Sequence, residues 1–305
     1  MLSTLLRRAA THGTIQAVAK DTPRIERVCS WFVDNARPLP WRSTSPWGVL
    51  VSEFMLQQTP VSRVEPVWRA WMDRWPEPGD LAGVSSGEAV RAWGRLGYPR
   101  RALRLHATAV AITHKHGGQV PRDENQLRAL PGVGEYTAAA VRAFAFGENA
   151  VVLDVNVRRV ISRAWSGIEE PPAHLTATER ALAAGLAQSA PDASLWAAAS
   201  MELGAVVCTK KVPQCPACPV ARTCAWRRAG SPALDKAPRR QPRFEGSDRQ
   251  ARGNILRVLR DSEVPLPTST VLAGVADFDQ GERAVNSLLD DGLIVRVGRR
   301  LALPS

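Results

Sequence analysis

The sequence predicts a mostly helical fold closed by a small winged-helix-like domain, and three observations carry that prediction. Apolar residues recur at helical spacing through the stretch from Pro23 to Arg228, with no long alternating pattern of the kind strands require. Ala-rich runs from Thr137 to Ala145 and from Ala193 to Ala199 favour helix strongly. After a Pro- and Arg-rich break come three short helical patterns and then two apolar runs separated by Gly298-Arg299, the signature of a β-hairpin.

Taken in order, the first helix is marked by Ile25, Val28, Cys29 and Phe32 and is ended by Pro38 and Pro40. A later amphipathic helix runs through Leu103, Ala107, Val110 and Ala111, and Pro76, Pro78, Pro121 and Pro131 mark further breaks. Between Gly230 and Gly246 the composition (Pro232, Pro238, Arg239, Arg240, Pro242, Arg243) cannot bury enough surface to fold, so a linker is expected. Beyond it, Arg252–Leu259, Ser269–Val275 and Glu282–Leu289 read as helices, and Leu293–Val297 with Arg300–Leu303 as the hairpin. The expected division is an N-terminal extension at 1–22, a helical domain at 23–229, a basic linker at 230–247 and a winged-helix-like domain at 248–305.

A chain of 305 residues has room for about two domains, and 45% apolar with 23% charged residues is the balance of a water-soluble globular protein. No apolar run approaches the roughly 18 residues that cross a bilayer. The first 20 residues are too weakly apolar for a signal peptide, so a cytoplasmic location is expected. The net charge of +11 is concentrated: Val207 to Arg260 holds 13 Lys or Arg against three acids. Such a segment is either a solvated linker or a surface that displaces counterions from phosphates, and charge alone does not separate DNA from RNA or an anionic membrane.

Four of the five cysteines, Cys208, Cys215, Cys218 and Cys224, lie within 17 residues, a density that argues for metal over disulfides in a cytoplasmic chain. Four thiolates would suit zinc. Only Cys215 and Cys218 form a short knuckle, however, and one tight loop around a cubane iron–sulfur cluster fits the spacing better. Cys29, on an apolar helix face, reads as an inert core thiol.

The run Leu130-Pro131-Gly132-Val133-Gly134-Glu135-Tyr136-Thr137 joins two helical segments. Gly132 and Gly134 permit a tight turn whose N–H groups a phosphate can approach, although a plain helix–helix turn would look the same. Glu53 sits on a helix with Val49, Leu50, Leu56 and Gln57 three and four positions away. It is either the polar rim of a core helix or a desolvated carboxyl with a raised pKa, as a general acid requires. Asp154 reads as the N-cap of the helix that follows, a place where a catalytic carboxylate can also be held.

These motifs together resemble the endonuclease III and adenine glycosylase superfamily. The cysteine run C-x6-C-x2-C-x5-C is similar to that superfamily's cluster loop, and Leu130–Ala138 to its helix-hairpin-helix. Ser52-Glu53 with Met55-Leu56-Gln57-Gln58-Thr59 resembles the signature around its catalytic Glu, and Leu153-Asp154-x-Asn156-Val157 the segment of its catalytic Asp. The match runs from about Ile25 to Ala225.

The resemblance implies a helix-hairpin-helix glycosylase fold of two helical subdomains with one [4Fe-4S] cluster on the loop 208–224. Glu53 would protonate a departing adenine flipped out of the duplex, Asp154 would stabilise the cationic sugar, and Asn156 would orient them. Tyr136 stands where the bifunctional branch has a Schiff-base lysine, and Lys115 is the only lysine between Arg42 and Val207, so strand cleavage is not expected. Gln57, Gln58 and Tyr98 would contact or wedge into the duplex. Gly132 and Gly134 would meet its backbone, and Lys210 and Lys211 would face phosphate. The implied partner is double-stranded DNA containing a mispaired adenine, bound by a monomer. A thymine or uracil glycosylase on the same scaffold and a non-catalytic DNA-binding protein are the alternatives.

In one respect the resemblance fails. Adenine glycosylases typically carry a C-terminal Nudix-like domain that reads the damaged guanine, and only 75 residues follow Gly230 here. The short domain, with Arg296, Arg299 and Arg300 on its hairpin, would serve either as a DNA-touching wing or as a protein-docking module.

Overall fold

Helix starts follow the caps that the sequence supplies. In the computed structural model, which describes residues 21–233 and 243–305, side chains of Ser45, Ser85, Asp123, Asp154, Thr176, Asp192, Ser247 and Asp277 each accept an N–H from the first turn of the helix that follows. Most of the expected N-terminal extension, residues 1–20, and the centre of the expected linker, residues 234–242, lie outside the described residues.

The described residues form two compact units. The first joins residues 21–42 to 135–233. It holds α1 (21–35), α8 (Glu135–Phe146), α9 (Val155–Ile161) continued by a wider π turn, α10 (Ala177–Ser189), α11 (Ala193–Val206) and the short α12 (Ala225–Arg228). Its main core gathers Ile25, Val28, Val160, Leu186, Trp196 and Leu203, with Cys29 buried among them. Burial pushes the Cys29 thiol up to about 11, which keeps it protonated and inert, as expected from its apolar face.

The second unit joins residues 43–134 to the C-terminal domain. Its helical part is α2 (Pro46–Leu56), α3 (Val61–Arg74), α4 (Pro78–Ala82), α5 (Ser86–Trp93), α6 (Arg100–Lys115) and α7 (Glu124–Ala129). Tryptophans organise this core: Trp71 packs edge-on against Trp75 and Trp93, and the indole N–H groups of Trp47, Trp68 and Trp93 donate to Trp75 O, Gly48 O and Gly97 O. The C-terminal part is α13 (Asp248–Arg260), β1 (Leu266–Pro267), α14 (Thr268–Leu272), α15 (Phe278–Asp290), β2 (Val295–Val297) and β3 (Arg300–Ala302). The hairpin register, Val297 opposite Arg300, leaves Gly298-Arg299 as the two-residue turn that the sequence suggests. β1 adds a third antiparallel strand, in the order β1-β3-β2, which completes a winged-helix-like domain. No described helix is long and apolar enough to cross a membrane.

Candidate active site

Local sequence explains how each candidate is held. Asp154 ends an extended run after α8 and caps α9: its Oδ1 accepts from Asn156 N at 2.9 Å and Val157 N at 2.7 Å, while Oδ2 accepts from the Asn156 side-chain amide at 2.7 Å. The capping role read from the sequence is met. Burial raises the Asp154 pKa above the ordinary carboxylate value, against the opposing pull of these three hydrogen bonds and of Arg159. A carboxylate so held would be stabilised by a nearby cation.

Asn156 is fixed from the far side as well. Its Oδ1 accepts from Arg159 Nη2 at 2.8 Å, and the same buried guanidinium donates to Gly204 O at 2.6 Å and, through Nε, to Cys208 O at 2.7 Å. The Asp154 carboxylate is thus joined by a continuous hydrogen-bonded path to the backbone of the first clustered cysteine. Gly204 lets α11 approach: a Cβ there would stand 2.7 Å from both the Cβ and the carbonyl oxygen of Asn156.

The four clustered cysteines line a single pocket together with Arg163, Leu203, Val220 and Trp226, and none is in a disulfide. Arg163 is fully buried, donates to Thr209 O and Glu169 O at 2.8 Å, and reaches Cys208 Sγ at 3.5 Å. Burial, with neighbouring Cys208, Cys224 and Cys215, pushes the Cys218 thiol up to about 11. Four thiols lining one pocket, with a buried cation beside Cys208, are donors of the kind a thiolate-bound metal group takes. Among the described residues, no set of three His, Cys, Asp or Glu converges tightly enough to hold a single metal ion. Lys210 and Lys211 lie exposed on this loop, Lys210 within 3.5 Å of Glu170. Tyr136, half-buried, packs against Ala140, Ala143, Ala150, Val152 and Ala197.

In the second unit, Glu53 is 5% exposed on α2, a helix whose residues Trp47 to Met55 are all buried. At the end of that helix Gln57 is half-buried, and Gln58 is exposed with φ +55°. Tyr98, 56% exposed, also has positive φ, +47°. Left-handed backbone at two non-glycine residues is strain that its surroundings must hold in place.

Arg101 is the group that holds it. This buried guanidinium donates to Phe54 O, Met55 O and Gln57 O at 2.9, 3.0 and 2.6 Å, and to Thr59 Oγ1 and Gly97 O at 2.9 and 3.1 Å. It ties the end of the Glu53 helix to the Tyr98 turn, and burial brings its pKa down to about 10. The hairpin turn at 130–133 packs on the same helix. Gly132 has φ +80°, and a Cβ there would meet Arg104 Cβ at 2.9 Å and the Phe54 ring at 3.0 Å. A Cβ at Gly134 would meet nothing within 4 Å, so no internal contact demands glycine at that exposed position.

Arg101, Arg159, Arg163 and Gly204 escape sequence reasoning. Arginines are common in this chain, and only three-dimensional packing reveals which are buried against carbonyls. The one available signal is indirect: Arg159 and Arg163 fall three and seven residues after Asn156, on the same helical face.

The family described as HhH-GPD superfamily base excision DNA repair protein matches residues 51–184. An adenine DNA glycosylase of Mycolicibacterium smegmatis is 48% identical over 87% of this chain and 90% of its own length. Its Mycobacterium tuberculosis counterpart is 46% identical over 90% and 91%. The human adenine DNA glycosylase is 38% identical over 72% of this chain and 42% of that protein. Among solved structures, a thermostable thymine-DNA glycosylase superposes with a TM-score of 0.62 at 26% identity, over 70% of this chain and 99% of the other. Endonuclease III in a non-covalent DNA complex gives 0.59 at 23%, over 70% and 97%, a likeness of fold.

Proposed function

Because this chain belongs to the HhH-GPD superfamily of base excision DNA repair proteins, alongside the adenine DNA glycosylases, we propose that it is a monofunctional glycosylase hydrolysing the N-glycosidic bond of adenine mispaired with 8-oxoguanine or guanine. The observation that carries the reading is Glu53, an acid set among apolar side chains inside a buried helix. A carboxyl so placed suits proton donation to a leaving base.

The reaction begins with the adenine flipped out of the stack, since neither carboxylate reaches a base inside a duplex. Glu53 protonates the imidazole ring, the bond between sugar and base breaks with its electron pair passing to the adenine, and positive charge develops on the sugar. Asp154, oriented by Asn156, stabilises that charge, electrostatically or through a transient covalent bond. Water then adds to the sugar carbon and gives its proton to the Glu53 carboxylate, which restores the acid.

Gln57, Gln58 and Tyr98 face the distorted pair, Gly132 and Gly134 present backbone N–H groups to phosphate, and Lys210 and Lys211 add charge on the loop 208–224. Cys208, Cys215, Cys218 and Cys224 hold one [4Fe-4S] cluster, which when bound cross-links this loop through four thiolates. The domain reading is a glycosylase domain at 23–229, an N-terminal extension before it, and a linker at 230–247 leading to the winged-helix-like domain. The protein acts on double-stranded DNA as a monomer in the cytoplasm.

A base-release assay on duplexes with A opposite 8-oxoguanine, A opposite G, T opposite G and U opposite G tests the proposal. Release of adenine from the first two is expected. Release of thymine or uracil with adenine untouched would overturn it.

A further inference from the structure

The C-terminal domain is bonded to the two helices that carry the Tyr98 turn. On α5, Gly87 N donates to Pro304 O at 2.9 Å, and a Cβ at Gly87 would stand 2.2 Å from that oxygen. Four residues on, Arg91 donates to Arg260 O and, at 2.9 Å, to Ser262 O, where α13 ends. Carbonyls at a helix end lack internal partners, so a guanidinium is well placed there. Arg260 answers with its own Nε to Val90 O at 3.0 Å. On α6, Arg100 pairs with Asp291 at 3.2 Å, an aspartate also held by Arg252.

Between these anchors lies the turn Gly94–Pro99, with positive φ at Gly94, Gly97 and Tyr98. A turn in which a tyrosine is forced left-handed keeps its shape only while its surroundings hold it, and the two flanking helices are part of those surroundings beside Arg101. One helix of the domain is poorly made for reading a groove, although Arg296, Arg299 and Arg300 lie exposed on the hairpin. α15, the helix that a winged-helix fold would offer to DNA, carries Asp279, Glu282 and Asp290 against Arg283 alone.

We propose that the C-terminal domain is a brace for the Tyr98 turn, docked across α5 and α6 so that Tyr98 is presented to the duplex, with Arg91 as its main positioning residue. The proposal rests on the reading of Tyr98 as a contact with the mispaired duplex. It assigns the short domain a task different from lesion reading by direct contact.

Hydrogen exchange in the full chain tests it, with Arg91→Ala as the first variant and Gly87→Ala as the second, the latter acting by collision with Pro304. Both should speed exchange at 260–262 and 301–304. In the same samples, exchange at 94–101 should rise about tenfold, and the preference for A opposite 8-oxoguanine over matched duplex should fall. Undocking at 301–304 with unchanged exchange at 94–101 would overturn the brace, and so would full protection of 301–304 in both variants. Tyr98→Ala in the otherwise native chain separates the premise from the proposal: unchanged mispair preference there would overturn the duplex-contact reading, whatever the exchange shows.

Discussion

Gly204 and Asn156 meet where α11 crosses α9, so closely that a Cβ on Gly204 would lie 2.7 Å from the Cβ of Asn156. Asn156 in turn holds Asp154 through its amide at 2.7 Å. Gly204→Ala should therefore push Asn156, and the carboxylate with it, out of register. Overpacking of this kind costs about 1–3 kcal/mol. A displacement near 1 Å at reacting groups costs on the order of 10²-fold in rate. Single-turnover adenine release should fall by that order while the variant stays folded. A parental rate would mean that Asn156 does not set the geometry of Asp154.

Asp154 offers a second test, through pH. Its pKa is raised in the fold, mainly by burial, so its ionisation is harder in the folded than in the unfolded chain. Stability from this group is full below the unfolded carboxylate pKa and is lost as pH rises through the folded value. Asp154→Asn, which cannot ionise, should melt above the parent at neutral pH while losing activity, by about 2–4 °C if about 1 kcal/mol is at stake. The gain should shrink as pH falls and the parent's own Asp154 takes up its proton. A variant that melts below the parent throughout would show the hydrogen bonds outweighing the burial.

Much of this arrangement was legible in the sequence, for physical reasons that differ by element. The Ala-rich run gave α8, Gly298-Arg299 located the hairpin turn, and the four clustered cysteines stood out by their spacing and line one pocket. β1 was not legible, because two residues are too few to show alternation. Neither were the bonds of Arg101, Arg159 and Arg91, whose partners include backbone carbonyls between 4 and 171 positions away. A carbonyl leaves no mark in sequence, so these arginines were hidden while the carboxyl groups of Glu53 and Asp154 stood out as candidates.

Tyr136 packs at the start of α8, at the position where the resemblance places the bifunctional branch's Schiff-base lysine, and Lys115 lies exposed at the far end of α6. Product DNA should therefore keep its abasic strand intact until alkali is added. Efficient borohydride trapping of a protein–DNA adduct would contradict this and would direct attention to Lys115, Lys210 and Lys211.

The cysteine pocket predicts its own metal content. Protein purified without oxygen should be yellow-brown and carry about four irons per chain. Replacing Cys208 with Ser should lower that iron and, by loosening the loop whose Cys208 carbonyl accepts from Arg159, also slow excision. Stoichiometric zinc without iron after anaerobic reconstitution would overturn the assignment.

The central claim is that Glu53 is the acid that lets adenine leave, and single-turnover release from a duplex with A opposite 8-oxoguanine measures it directly. Glu53→Gln keeps the shape of the side chain and removes the proton donor. The account predicts a rate lowered by about 10²–10⁴-fold, the usual contribution of a general acid, with duplex affinity close to that of the parent. Release by Glu53→Gln at near the parental rate would place the acid elsewhere and leave Glu53 a structural residue of α2.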